Sequence, residues 1–201
     1  MRRIWIALLA AAGLAGCASG PLKVDLSDSV YQGSPPSDQK PQVSAVVVVN
    51  RAPPGKPVNS VSLGDAQFPL SVAEPASETV ENDIRRYFSE RLAEDPQATR
   101  ALRVTIQRAD AFWVLTTADR IPIVNIFTIA APSDIGLNLR VRLEVEESGK
   151  VMASYDYDEV IPSRGTLTSD EQVANVYRTL ISAYRQAFFG RLDQEFTGRY
   201  F

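Results

Sequence analysis

The chain of 201 residues has no histidine. Without an imidazole, the Ser-His-Asp and Cys-His arrangements of nucleophilic catalysis are excluded, and so are zinc sites that need a histidine ligand. Cysteine is almost as scarce: Cys17 stands alone, so no intrachain disulfide can hold the fold. Stability has to come from an apolar core. Lysine occurs only at Lys23, Lys40, Lys56 and Lys150, all in polar, proline-rich or turn-like surroundings, and a buried Ser-Lys pair is not expected. There is no glycine-rich phosphate loop. The 21 basic residues are outnumbered by 24 acidic ones, which speaks against a nucleic-acid partner, since that usually needs a basic face.

What is present begins at the N-terminus. Arg2 and Arg3 precede an apolar stretch over 4–14 and the small residues Ala15 and Gly16, the order of a secretory signal peptide that is cleaved off. The stretch is far short of the roughly 20 residues that cross a bilayer as a helix. Leu14-Ala15-Gly16-Cys17 resembles the bacterial lipobox. The resemblance implies a covalent diacylglycerol and an N-acyl chain on Cys17, and no other cofactor or metal is expected. At about 0.8 kcal/mol per buried methylene, two or three chains hold a domain firmly where one holds it marginally. Position 18 is Ala rather than Asp, which by the same resemblance implies the outer membrane, facing the periplasm. Loss of Arg2 and Arg3 leaves 19 basic residues against 24 acidic ones, a net charge of −5.

Three parts are expected: a cleaved signal over 1–16, a lipidated Cys17 with a flexible tether over 17–42, and one periplasmic α+β domain over 43–201. The tether is polar, centred on Gly33-Ser34-Pro35-Pro36-Ser37, with a short ordered segment around 22–26. Fully extended at about 3.3 to 3.6 Å per residue, it would let the domain stand on the order of 80 Å from its membrane.

In the domain, the valine-rich stretch 42–50 predicts a strand buried on both faces. Three prolines and a glycine break it over 51–57, and 58–70 could carry a short edge hairpin around Val61 and Leu63. Val80, Ile84, Tyr87, Phe88 and Leu92 recur at helical spacing and predict a helix over 77–93. Arg85, Arg86, Glu90 and Arg91 fall on its wet side, and Asp95-Pro96 stops it. Leu102, Val104 and Ile106 alternate with polar residues and predict a strand running on to Leu115.

Residues 136–161 predict a hairpin closed by the three-residue loop Glu147-Ser148-Gly149, with Gly149 in the left-handed position. In that register Val145 faces Val151, Leu143 faces Ala153, Val141 faces Tyr155 and Leu139 faces Tyr157. On the other side Arg140 meets Asp156, Glu146 meets Lys150 and Asp158 lies opposite Asn138. Thr168 and Glu171 predict a capping box that opens a long helix ending near Glu195. Two amphipathic helices and a mostly antiparallel sheet of about four to five strands with one apolar side pack as a two-layer α+β sandwich, both helices on one face.

Ala18-Ser19-Gly20-Pro21-Leu22-Lys23-Val24-Asp25-Leu26 after Cys17, the valine strand ending at Asn50, Ala109-Asp110 and the hairpin leading to Tyr155 and Tyr157 resemble the YajG-type lipoproteins. The order of strands and helices is similar to that of auxiliary envelope lipoproteins such as LptE and PqiC. The YajG resemblance implies an outer-membrane lipoprotein and brings no catalytic residues.

Asp156, Asp158 and Glu159 could make a metal or acid-base site, but the hairpin register reads them as a solvated strand face. The stretch 121–132 is the more informative one. Its Ile121, Ile123, Ile126, Phe127 and Ile129 fit a central strand, or an exposed segment that, with nearby Phe112 and Trp113, meets a protein partner or an acyl chain. Tyr200 and Phe201 read as a tail. The expectation is a non-catalytic, lipid-anchored accessory protein that binds another cell-envelope component; the alternative is a lipid-binding auxiliary subunit of an envelope lipid-transport system.

Overall fold

The element order is β1 (Gln42–Val43), β2 (Val46–Asn50), β3 (Ala66–Pro69), α1 (Ala76–Arg91), β4 (Ala93–Glu94), β5 (Arg100–Leu115), β6 (Ser133–Glu147), β7 (Lys150–Gly165) and α2 (Asp170–Arg191). A π-helical turn, Leu192–Thr197, and a last turn, Gly198–Tyr200, continue α2. This is a computed structural model, describing residues 21–27, 31, 33, 40–53, 66–70, 72–115 and 133–201.

Alternation of apolar and polar residues sets the sheet. Its strands run in the order β2-β5-β6-β7, with β3 beside the far end of β5. β5, β6 and β7 are mutually antiparallel, and β2 runs parallel to β5. Leu137, Leu139, Val141, Leu143 and Val145 of β6 are all buried on one face. On β5 the buried set changes parity from Leu102, Val104 and Ile106 to Ala109 and Ala111, because the register shifts between Ile106 and Arg108. That bulge keeps a strand of 16 residues facing one core along its whole length.

α1 lies over β2 and β5, and α2 over β6 and β7, giving the two-layer α+β sandwich. The space between the layers is filled by rings: Phe88, Tyr157, Tyr184, Phe188, Phe189 and Phe196 are essentially inaccessible. Tyr157 meets Phe188 edge-on at 5.0 Å and Tyr87 stacks on Phe189 at 4.7 Å. Such pairs contribute about 0.5–1.5 kcal/mol each beyond their buried area.

Several sequence expectations need correction. The hairpin turn has two residues, Ser148 and Gly149, with φ of 51° and 76°. Positive φ at both positions is the type I′ turn that suits strand twist. A two-residue turn by itself would mix the two faces, but Met152 bulges out: Glu146 faces Val151, and Val145 already faces Ala153. Parity is restored and the pairing moves by two residues, so that Arg140 faces Asp158, Arg142 faces Asp156, and Asn138 faces Val160. Glu147 rather than Glu146 faces Lys150.

The valine stretch is two short strands, and β2 is an edge strand with Val47 39% exposed rather than a doubly buried one. α1 stops at Arg91, ahead of Asp95-Pro96, because Leu92 turns extended and β4 pairs with β1. Arg91 is not on the wet side; its guanidinium lies 3.9 Å above the Tyr87 ring. At the start of α2 the cap moves by one residue: Ser169 accepts from Gln172 N at 3.3 Å, and the Gln172 side chain reaches back to Thr168 N at 3.2 Å. Of the expected 58–70 hairpin, β3 is a strand, and 54–65 lie outside the described residues. The chain end is not a free tail, since Tyr200 and Phe201 pack against Phe196 at 5.2 and 6.0 Å.

The described part of the expected tether is docked. Leu22, Val24 and Leu26 are half-buried while Lys23 and Asp25 are exposed, the two-residue period of an extended segment laid on a surface. Leu22 bridges to Val72, and Ala73 N donates to Leu22 O at 2.7 Å. Arg178 Nε donates to Asp25 O at 3.0 Å and Arg185 Nη1 to Leu26 O at 3.3 Å.

These contacts define two poles. One holds the ends of β5 and β7 with the starts of α1 and α2, where Tyr177 donates to Glu74 O and Asn50 Nδ2 to Ser77 O. The other holds the Ser148-Gly149 turn and the chain end, where Arg100 reaches Tyr200 O. Leu22 enters the fold at the first.

Candidate functional site

Of the contact residues singled out from the sequence, the two that are described, Phe112 and Trp113, do not share a face of the sheet. Neighbours on a strand point to opposite faces, and Phe112 and Trp113 do so. Phe112, paired with Gly136, lies on the face away from the helices and is buried at 7% exposure; Trp113, paired with Ile135, is half-buried on the helix side. The Phe112 ring covers Gly136 so closely that a Cβ there would come within 2.6 Å of it. Phe112 is therefore no exposed contact. Cys17, Ile121, Ile123, Ile126, Phe127 and Ile129 lie outside the described residues.

The hairpin carboxylates divide. Asp156 and Asp158 stand on the open face of the sheet and pair with Arg142 and Arg140. Glu159 points to the helix side, where it accepts from Tyr157 OH at 3.0 Å and pairs with Arg191 at 2.6 Å. Among the described residues no three or more histidine, cysteine or carboxylate side chains are grouped to hold a metal.

The helical layer holds two polar clusters that the sequence reading missed. Asp83 of α1 and Arg185 of α2 face each other inside it, each side chain 5% exposed. Arg185 donates through Nε to Asp83 Oδ2 at 2.7 Å and through Nη2 to Oδ1 at 2.9 Å, and Arg86 adds a third donor at 3.1 Å. Burial holds the Tyr184 hydroxyl beside this carboxylate well above the usual phenol range.

The second cluster surrounds Asp193 in the π-helical turn. Tyr31 OH donates to Oδ2 at 2.7 Å, Tyr87 OH donates to Oδ1, and Arg91 Nε approaches Oδ1 at 3.3 Å. Thr197 Oγ1 lies 3.0 Å from Tyr87 OH. Burial, and then the bond to Asp193, push the Tyr31 hydroxyl up to about 12 and that of Tyr87 higher still.

Both carboxylates are surrounded by donors, which suits clamps better than bases. Asp83 and Arg185 bind α1, α2 and residue 26; Asp193 binds α1, the π-turn and residue 31. A signal for each existed. Asp83 sits three residues after Val80 and four before Tyr87, and Arg185 four after Ile181 and three before Phe188. Each is a charge on an apolar stripe, and the two have opposite signs.

Open space lies elsewhere. A surface cleft of about 390 Å³ between α1 and β2 is lined by Val46, Val48, Arg85, Phe88, Ser89, Leu92 and Glu94. A smaller one, about 200 Å³, lies at the far pole by Arg100, Met152 and Tyr200. The sheet also has a free side. β7, 16 residues long, pairs only with β6 among the described residues, and beside its edge Val151, Met152 and Val160 are 52%, 63% and 57% exposed.

Fold and site together define a two-layer α+β domain with internal clamps and an open sheet edge. No family model matches the chain, and no curated protein does. Among solved structures, it is similar to protein XCC0632 from Xanthomonas campestris, described by the family model DUF330, at 13% identity and a TM-score of 0.43, covering 82% of this chain and 91% of that one. It is also similar to a neuraminyllactose-binding hemagglutinin homolog from Helicobacter pylori, at 16% identity and a TM-score of 0.41, covering 86% and 97%. At these overlaps neither likeness carries weight for function.

Proposed function

We propose that this chain is a non-catalytic accessory protein, acylated at Cys17 in the outer membrane and facing the periplasm, that binds another protein of the cell envelope. The observation that carries the binding role is the edge of β7, which is unpaired among the described residues. A long edge strand with unpaired backbone groups and exposed apolar side chains is a template for an added strand, and folds without a partner usually blunt such an edge. Here Pro162, the bulge at Met152 and charges such as Asp156 and Asp158 temper the edge, yet Val151, Met152 and Val160 stay more than half exposed beside it. A photo-crosslinking residue at Met152 or Val160 should capture the same partner from intact cells each time. Repeated recovery of the lone monomer would count against the reading.

The second reading, a lipid-binding auxiliary subunit of an envelope lipid-transport system, is favoured by the cleft between α1 and β2. Val48, Phe88 and Leu92 line it with the guanidinium of Arg85, a combination suited to an acyl chain below an anionic headgroup. Native mass spectrometry of the domain without Cys17 tests this: a co-purified lipid supports it, and a bare protein mass speaks against it.

A further inference from the structure

We infer that the pole where β5 and β7 end is seated against the lipid surface, an inference that rests on the acylation of Cys17 proposed above. The decisive quantity is the length of free chain. Docking begins at Leu22, which is held by Val72 and by the backbone of Ala73. Five residue steps separate it from Cys17, so even a fully extended chain reaches only about 18 Å. The leash is far shorter than the one read from the sequence.

The domain is much longer than that leash. At about 3.3 Å per residue, the 16 residues of β7 span roughly 50 Å from pole to pole. The pole that holds Leu22 therefore stays within about 18 Å of the surface, while the far pole with Tyr200 can stand well away.

Lying flat is the alternative, and the open face of the sheet opposes it. Arg103 with Glu146, Arg140 with Asp158 and Arg142 with Glu144 and Asp156 form a sheet of hydrated ion pairs that contact with lipid would strip of water. Among the described residues the near pole has one such pair, Arg164 with Asp134. Lys23, beside Leu22, is exposed there, where an anionic headgroup can meet it. Trp113 lies close by: Leu70 N donates to Ala111 O, and Val72, the partner of Leu22, follows two residues later.

Trp113 also supplies the test. The chain has two tryptophans, Trp5 and Trp113, and removal of 1–16 leaves Trp113 alone. Purified full-length protein is reconstituted in vesicles of phosphatidylethanolamine and phosphatidylglycerol that contain a dansyl-headgroup lipid, and energy transfer from the tryptophan is measured. Transfer from Trp113 should be several-fold stronger than from Tyr200→Trp in a Trp113→Phe background. A Gly-Ser spacer of about 20 residues, inserted between Gly20 and Pro21, should weaken it severalfold. The spacer variant keeps Trp113, so the test does not depend on the substituted protein folding. Equal transfer from both poles, or a signal indifferent to the spacer, overturns the inference if the intact mass shows acyl chains on Cys17. An intact mass without them overturns the acylation reading as well.

Discussion

The two faces of the sheet use the same chemical pair to opposite effect. On the open face Arg140 and Asp158 are each more than half exposed; inside the helical layer Arg185 and Asp83 are 5% exposed each. Water already stabilises the outer charges, so pairing adds little. The inner charges have lost that hydration and depend on one another, so removing one leaves the other stranded. Ion pairs on this protein are therefore informative about stability only on the side the helices cover.

The largest test of that contrast is Asp83→Ala, which should cost about 3–5 kcal/mol in urea unfolding by taking the buried counter-ion from Arg185. Replacing both partners together, as Asp83→Leu with Arg185→Met, should recover most of the loss. A double variant as unstable as the single one would break the comparison. Next comes Asp193→Ala. It takes one acceptor each from the hydroxyls of Tyr31 and Tyr87 and from the guanidinium of Arg91, and about 1–3 kcal/mol should be lost in the same assay.

A smaller effect is expected in alkali. The Tyr31 hydroxyl is raised from 10.0 to about 12 in the folded protein, so the native state keeps a proton that the unfolded chain releases. Its contribution is complete below pH 10 and is lost as pH climbs towards 12. Tyr155 and Tyr177 are raised to about 12 in the same way. The unfolding midpoint should fall across that window, and less steeply in Tyr31→Phe; an identical slope would mean that Tyr31 is not docked on Asp193 in solution. The smallest effect is that of Arg140→Gln, whose unfolding midpoint should match that of the parent protein.

What could be read from the sequence follows from periodicity. The apolar stripes of α1 and α2 and the alternation along β5, β6 and β7 each repeat often enough to fix a buried face, and from those faces the two-layer architecture follows. Departures from periodicity were harder to see. The bulges at Met152 and between Ile106 and Arg108 change parity without a change in composition; the first, with the two-residue turn, moves the hairpin pairing by two residues from the expected register and keeps its faces. β2 was read as doubly buried because four valines look alike at an edge and at a centre; only pairing distinguishes them. The charges at Asp83 and Arg185 were visible on their stripes but become meaningful only when two helices that are far apart in sequence are laid side by side. As for the candidate contact residues, strand parity alone separates Phe112 from Trp113.

The π-helical turn over Leu192–Thr197 takes one more residue per hydrogen-bonded loop than an α-helix does. A single deletion within 193–195 could be absorbed by relaxing that turn to α-helix. Everything downstream would then keep its phase, because the deletion removes only the extra residue that the wide turn accommodates. Tyr200 and Phe201 would stay on the core, whereas the carboxylate that gathers Tyr31, Tyr87 and Arg91 would be lost or re-aimed. One shortened codon run there would thus release Tyr31 while leaving the segment at Leu22–Leu26 and the chain end seated.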